Sequence, residues 1–119
     1  AGILYADLPG SANDGIPVAL NGNQIGHFTG GAGQGNTIHS TSAVNTGEFV
    51  HVVVTRNLAT GEKKIYINGQ QEASGTHEPG LALNQRQELV AGGNLFDGRY
   101  FDGVLDELRV YNEVLTQTE

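Results

Sequence analysis

The sequence contains no cysteine, no methionine and no tryptophan. Without cysteine there is no disulfide framework and no thiolate chemistry, catalytic or metal-binding. Without tryptophan, the rings available for a core or for stacking on a ligand come from four Phe and four Tyr. Basic residues are scarce too, six against thirteen acidic ones, for a formal net charge of −7. Lys63-Lys64 is the only basic pair. Nucleic-acid binding needs clustered Lys and Arg for the phosphates, so that partner class is excluded. An acidic surface fits solubility, divalent-cation affinity or a neutral ligand. No run approaches the roughly 18 apolar residues of a membrane-spanning helix, so membrane insertion is not expected. A charged stretch followed by an apolar one, as in a secretory leader, is also missing. Opening on Ala1-Gly2 and lacking Met, the chain reads as a processed or excised piece of a longer protein.

What is abundant is glycine, eighteen residues against three prolines in a chain of 119. That length suits one domain spanning residues 1–119 with a modest core. Short apolar runs closed by Gly, Asn or Asp recur along it, the spacing of many short antiparallel strands. Strands are expected at Gly2–Leu8, Ile16–Leu20, Gln24–Phe28, Asn36–Ser40, Phe49–Arg56, Lys63–Ile67, Gln70–Ser74, Gln87–Ala91 and Phe101–Tyr111. In Phe49–Arg56, apolar residues on both phases predict a central strand covered on both faces. Asn21-Gly22 and Asn68-Gly69 each stand between strand-like runs and predict type I′ hairpins. Asn57–Glu62 reads as a longer hairpin loop. The Gly-rich Thr29–Gly35 carries no charge and no following Gly-Lys-Ser/Thr, so it reads as a loop and not a phosphate cradle. Helix is expected only in a turn over Val114–Glu119, capped by Thr116.

Three blocks follow one another in a recognisable order: Gly47–Arg56 (GEFVHVVVTR), Thr60–Gly69 (TGEKKIYING) and Phe101–Asn112 (FDGVLDELRVYN). Together they resemble the laminin-G-like jelly-roll domains of the concanavalin A-like superfamily. The resemblance implies an all-β fold, an antiparallel β-sandwich of the jelly-roll, concanavalin A-like kind. It implies core positions for Phe49, Tyr66 and Phe101, and a sheet position for His51. Two departures stand out. Phe49 and Val50 occupy positions where the family usually has Trp and His. Family domains also begin with a further strand or two that has no counterpart before Ala1. The jelly roll is therefore expected to be incomplete, trimmed, or completed by another chain, with strand edges left open.

Glycosidases on such sandwiches set alternating carboxylates on one strand, about 5–5.5 Å apart for retention. No such triplet occurs here, and Asp106-Glu107, being adjacent, would face opposite sides of a strand. Glu107 would share a face with Arg109 and Tyr111. Asp106 would fall on an apolar face beside Val104, Leu108 and Val110, where an ionised carboxylate needs a hydrogen-bond partner or a cation. Both readings of Asp106 stand open. Calcium takes six to eight oxygens, and Asn94, Asp97 and Asp102 cluster in Gly92–Gly103. The resemblance implies calcium near the terminal strands, with Asp102 and Asp106 as its ligands. His27, His39, His51 and His77 show no metal-ligand spacing, and no Gly-x-Ser-x-Gly elbow supports a hydrolase triad.

Sugar binding needs aromatic faces for the rings and polar side chains for the hydroxyls. Tyr5, Phe96 and Tyr100 are candidate platforms. The last two flank Asp97-Gly98-Arg99 in a loop where Asn94, Phe96, Asp97, Arg99 and Tyr100 would combine stacking with hydrogen bonding; an ordinary connection folding its aromatics over the core is the alternative. The expected function is a non-catalytic, carbohydrate-binding, lectin-like module of a larger secreted or cell-surface protein. Its partners would be a glycan or polysaccharide and other domains of the parent chain. A structural or adhesive spacer that contacts protein and binds no sugar is the rival.

Overall fold

The computed structural model describes residues 2–6, 15–29, 36–83, 88–94 and 98–116. The described chain is built of antiparallel strands, with no α-helix among its residues. In chain order these are β1 Gly2–Ala6, β2 Gly15–Asn21, β3 Gln24–Thr29, β4 Thr37–His39 and β5 Val52–Arg56. They continue as β6 Glu62–Ile67, β7 Gln70–Thr76, β8 Val90–Ala91, β9 Gly93–Asn94 and β10 Arg99–Tyr100. One sheet runs β4-β3-β2-β1-β8 and the other β5-β6-β7, while β9 and β10 form a separate short ribbon. The sandwich predicted from the sequence is therefore present.

Alternation builds the core. Ile25 and Ile38 of the larger sheet meet Ile65 and Ile67 of the smaller one, with Val18, Leu20, Val52 and Val54 packed around them. On both central strands the same inward phase turns polar towards one end. Ile25 is followed by His27 and Thr29, and Ile67 and Ile65 are preceded by Lys63, all buried. One end of the sandwich is thus aliphatic and the other hydrogen-bonded.

Local chemistry explains the connections. Asn68 and Gly69 have φ of 50° and 80°, and Ile67 pairs Gln70 across them, the expected type I′ turn. The first hairpin differs. Asn21 pairs Gln24, so the two-residue loop is Gly22-Asn23 with only Gly22 at positive φ, a pattern that belongs to the II′ family. Asn57 organises the longer loop, its Oδ1 accepting the Ala59 and Thr60 N–H groups at 3.0 and 3.2 Å. In β2, the β2–β3 register shifts between Ile16 and Ala19, where Pro17 has no N–H for the ladder. The Pro17 carbonyl is taken up by His27 Nδ1–H at 2.8 Å.

Several expectations fail. β5 begins at Val52 and, among the described residues, pairs only with β6, so there it is an edge strand and not a central one. His51, in front of it, is exposed, its N–H donating to Asn68 Oδ1 at 2.9 Å. Phe101–Tyr111 is not a strand; the Phe101 N–H donates to the Gly92 carbonyl at 2.8 Å, and Glu107, at φ 55°, breaks the alternation beyond it. Phe49 is 75% exposed, since the strand that should carry it inward has not started. Of the helical turn, residues 114–116 are not helical, and 117–119 lie outside the described residues.

Candidate functional site

The predicted loop site is only partly within the described chain. Phe96 and Asp97 lie outside it. Asn94 and Arg99 are paired across the β9–β10 ribbon, as are Gly93 and Tyr100. Tyr100 is 63% exposed, and its ring lies against Gly93, where a Cβ would collide with the ring carbons. Glycine at 93 therefore gives the tyrosine a flat backing while its other face meets solvent. Arg99 and Tyr100 are neighbours on one strand, so they leave it on opposite faces. Tyr5, the other described platform candidate, is 3% exposed, its ring packed over Gly2. It is a core residue, because β1 lies between β2 and β8.

Asp102 and Asp106 are both exposed. Asp106 Oδ1 accepts the Glu107 N–H at 2.9 Å, which gives its carboxylate a local hydrogen-bond partner. The apolar face imagined around it does not form, since Val104, Leu108 and Val110 are exposed. Glu107 does pair with Arg109, at 2.7 Å. Among the described residues no group of three or more His, Asp or Glu side chains is placed to hold a metal. Two aspartates, one of them already engaged, fall short of calcium's six to eight oxygens.

Two features lie outside the predicted site. The first is Lys63, with none of its surface exposed. Its ammonium donates to Thr29 Oγ1 at 3.1 Å, to the His27 carbonyl at 3.4 Å, and to the Asn36 carbonyl. Burial, reinforced by the nearby Arg56 charge and opposed by Glu78, lowers its pKa to about 8. Burial, then the Lys63 charge, brings His27 down to about 4, so at neutral pH its imidazole is uncharged and donates through Nδ1. Only the i, i+2 phase of Lys63 with Ile65 and Ile67 hinted at this, and a lysine in such a row is more often solvated.

The second is a groove of about 1340 Å³ around the β5 edge. Ile3, Val18 and Leu20 of the larger sheet line one part, and the extended Phe101–Thr116 forms the far bank. The exposed apolar residues Phe49, Val104, Leu108, Val110 and Tyr111 belong to its walls.

A family model for the concanavalin A-like lectin/glucanases superfamily, of laminin G type, matches residues 2–119. No curated protein and no solved structure matches the chain significantly.

Proposed function

The chain belongs to the concanavalin A-like lectin/glucanases superfamily, and on that footing we propose that it is a non-catalytic carbohydrate-binding module of a larger secreted or cell-surface protein. The observation that carries this reading is Tyr100. A largely exposed ring lying against Gly93 in a short ribbon offers an apolar surface on which a sugar ring stacks. Asp97, close by in sequence, carries an acceptor for hydroxyls and Phe96 a second ring, while Arg99 leaves the ribbon on the face opposite Tyr100. A neutral glycan also suits a chain of net charge −7, which has no basic cluster for a polyanion.

The superfamily's name covers both lectins and glucanases. The lectin side is favoured by the carboxylates, since Asp106 and Glu107 are exposed and bound to an adjacent amide and to Arg109.

A glycan array followed by titration calorimetry tests the reading. Binding of a neutral glycan is expected, reduced at least about ten-fold by Tyr100→Ala, with unchanged melting because the ring lies outside the core. Binding that survives Tyr100→Ala would remove the site. Hydrolysis abolished by a single Asp or Glu substitution would replace the lectin with an enzyme.

A further inference from the structure

The two sheets are unequal, five strands facing three. The inner face of the larger sheet therefore runs past the smaller one, and Ile3, Val18 and Leu20 are only partly buried although they point at the core. The place where a further strand of the smaller sheet would cover them is the groove beside β5.

The backbone of β5 faces that groove with hydrogen-bonding groups to spare. Asn57 N–H donates to the Glu62 carbonyl and Asn68 N–H to the His51 carbonyl, each at 2.8 Å. The odd-numbered residues of β5 therefore exchange bonds with β6. Val52, Val54 and Arg56 direct their N–H and C=O groups to the other side, where no described strand pairs with them. Natural edges are usually blunted by an inward charge, a proline or a bulge. β5 has neither proline nor bulge along Val52–Arg56, and its one charge, Arg56, stands at its last residue with its guanidinium already donating to the Glu78 and Leu81 carbonyls.

The charge of the banks narrows the occupant. Glu48, Asp102, Asp106, Glu107 and Glu113 line the groove against Arg56 and Arg109. Arg109 is tied to Glu107, and Arg56 donates to the carbonyls of Glu78 and Leu81 at 3.1 and 2.9 Å. A second copy would bring another net −7 and the same acidic rim, so self-pairing is disfavoured. We propose that the groove binds an extended segment of a different polypeptide, with alternating apolar and basic residues, added as a fourth strand to β5. Its apolar phase covers Ile3, Val18 and Leu20, and its basic phase meets the acidic rim. This surface is separate from Tyr100, which does not line the groove, and the proposal does not depend on glycan binding.

The probe is a short end-blocked peptide of alternating valine and lysine. Its controls are the same residues in two blocks and an alternating valine–glutamate peptide. The alternating valine–lysine peptide is expected to bind one to one, at least about ten-fold tighter than either control. The Val52, Val54 and Arg56 amides should gain protection from hydrogen exchange. Val54→Pro, which removes an edge N–H that no internal bond uses, should abolish binding, whereas Val54→Ala should retain it. Glu48→Lys with Glu113→Lys leaves β5 untouched and should shift preference towards the glutamate peptide. Equal binding of all three peptides, or protection elsewhere than β5, would overturn the proposal. Protection of those amides that rises with protein concentration, without peptide, would assign the edge to a second copy and overturn it equally.

Discussion

Replacing Lys63 with methionine should remove a pH dependence of stability that the wild-type fold carries above neutrality. The ammonium is wholly buried, and its pKa falls from 10.5 to about 8. Below pH 8 both folded and unfolded chains hold the proton, and the fold bears the full cost of burying the charge, about 3 kcal/mol. Above pH 8 the folded chain releases the proton while the unfolded chain keeps it until about 10.5, so stability rises with pH. Between pH 7 and about 9.5 the gain is roughly 2 kcal/mol, before tyrosine ionisation intervenes. Urea unfolding at closely spaced pH values measures it directly, and Lys63→Met should be flat over the same interval. The absolute stability of the variant is a poorer readout, because Thr29 Oγ1 and two carbonyls lose their donor. A wild-type curve that is level or falls between these limits would refute the buried, depressed ammonium. A variant that keeps the slope would assign it to another group.

His27 sets the acid side. Its folded pKa of about 4 lies below its ordinary 6.5, so the unfolded chain binds the proton first and stability falls as pH drops from 6.5 towards 4, by about 3 kcal/mol in all. His27→Gln should flatten that limb in the same unfolding series. Gly22→Ala and Gly61→Ala share a positive φ, 64° and 74°, but an added Cβ meets nothing at Gly22 and comes 2.5 Å from the His77 carbonyl oxygen at Gly61. Gly22→Ala should cost about 1 kcal/mol and Gly61→Ala about 2 kcal/mol more, measured by denaturant midpoints. Melting with millimolar calcium and with EDTA should give one midpoint from the described residues, where no three His, Asp or Glu side chains are grouped to hold a metal. A calcium-dependent rise lost in Asp102→Asn would mean that further residues complete a site there.

The strands that were legible from the sequence are those whose partners sit next to them in the chain. β2–β3 and β6–β7 are hairpins, and their alternation, turn residues and register are local properties. What failed was long-range. Phe49–Arg56 has the composition of a central strand, but whether a strand is central depends on a neighbour that its own residues do not encode. The same is true of Phe101–Tyr111, whose motif identified the superfamily while its pairing did not follow. Lys63 was illegible for another reason. A lysine is buried only where three acceptors converge, and Thr29, His27 and Asn36 come from a different sheet or its connections. Of the proposed ligand site, the sequence offered Tyr100 as a candidate ring, but its contact with Gly93 depends on the β9–β10 register, and these two-residue strands are too short for a periodic signal.

The two proposed surfaces make a joint prediction that neither makes alone. Any ligand that binds only the folded chain stabilises it by RT ln(1 + [L]/Kd), about 3 kcal/mol at a hundred-fold excess over Kd. The strand-like peptide should produce this shift by covering Ile3, Val18 and Leu20, and a glycan on Tyr100 should produce it without touching the groove. Because Tyr100 is absent from the groove lining, the two shifts should add when both ligands are present. Thermal unfolding with each ligand singly and with both together measures the sum. Tyr100→Ala should delete the glycan increment alone, and Val54→Pro the peptide increment alone. A combined shift equal to the larger single one would mean that the ligands compete for one surface. In that case the glycan would have to be moved from the ribbon to the groove.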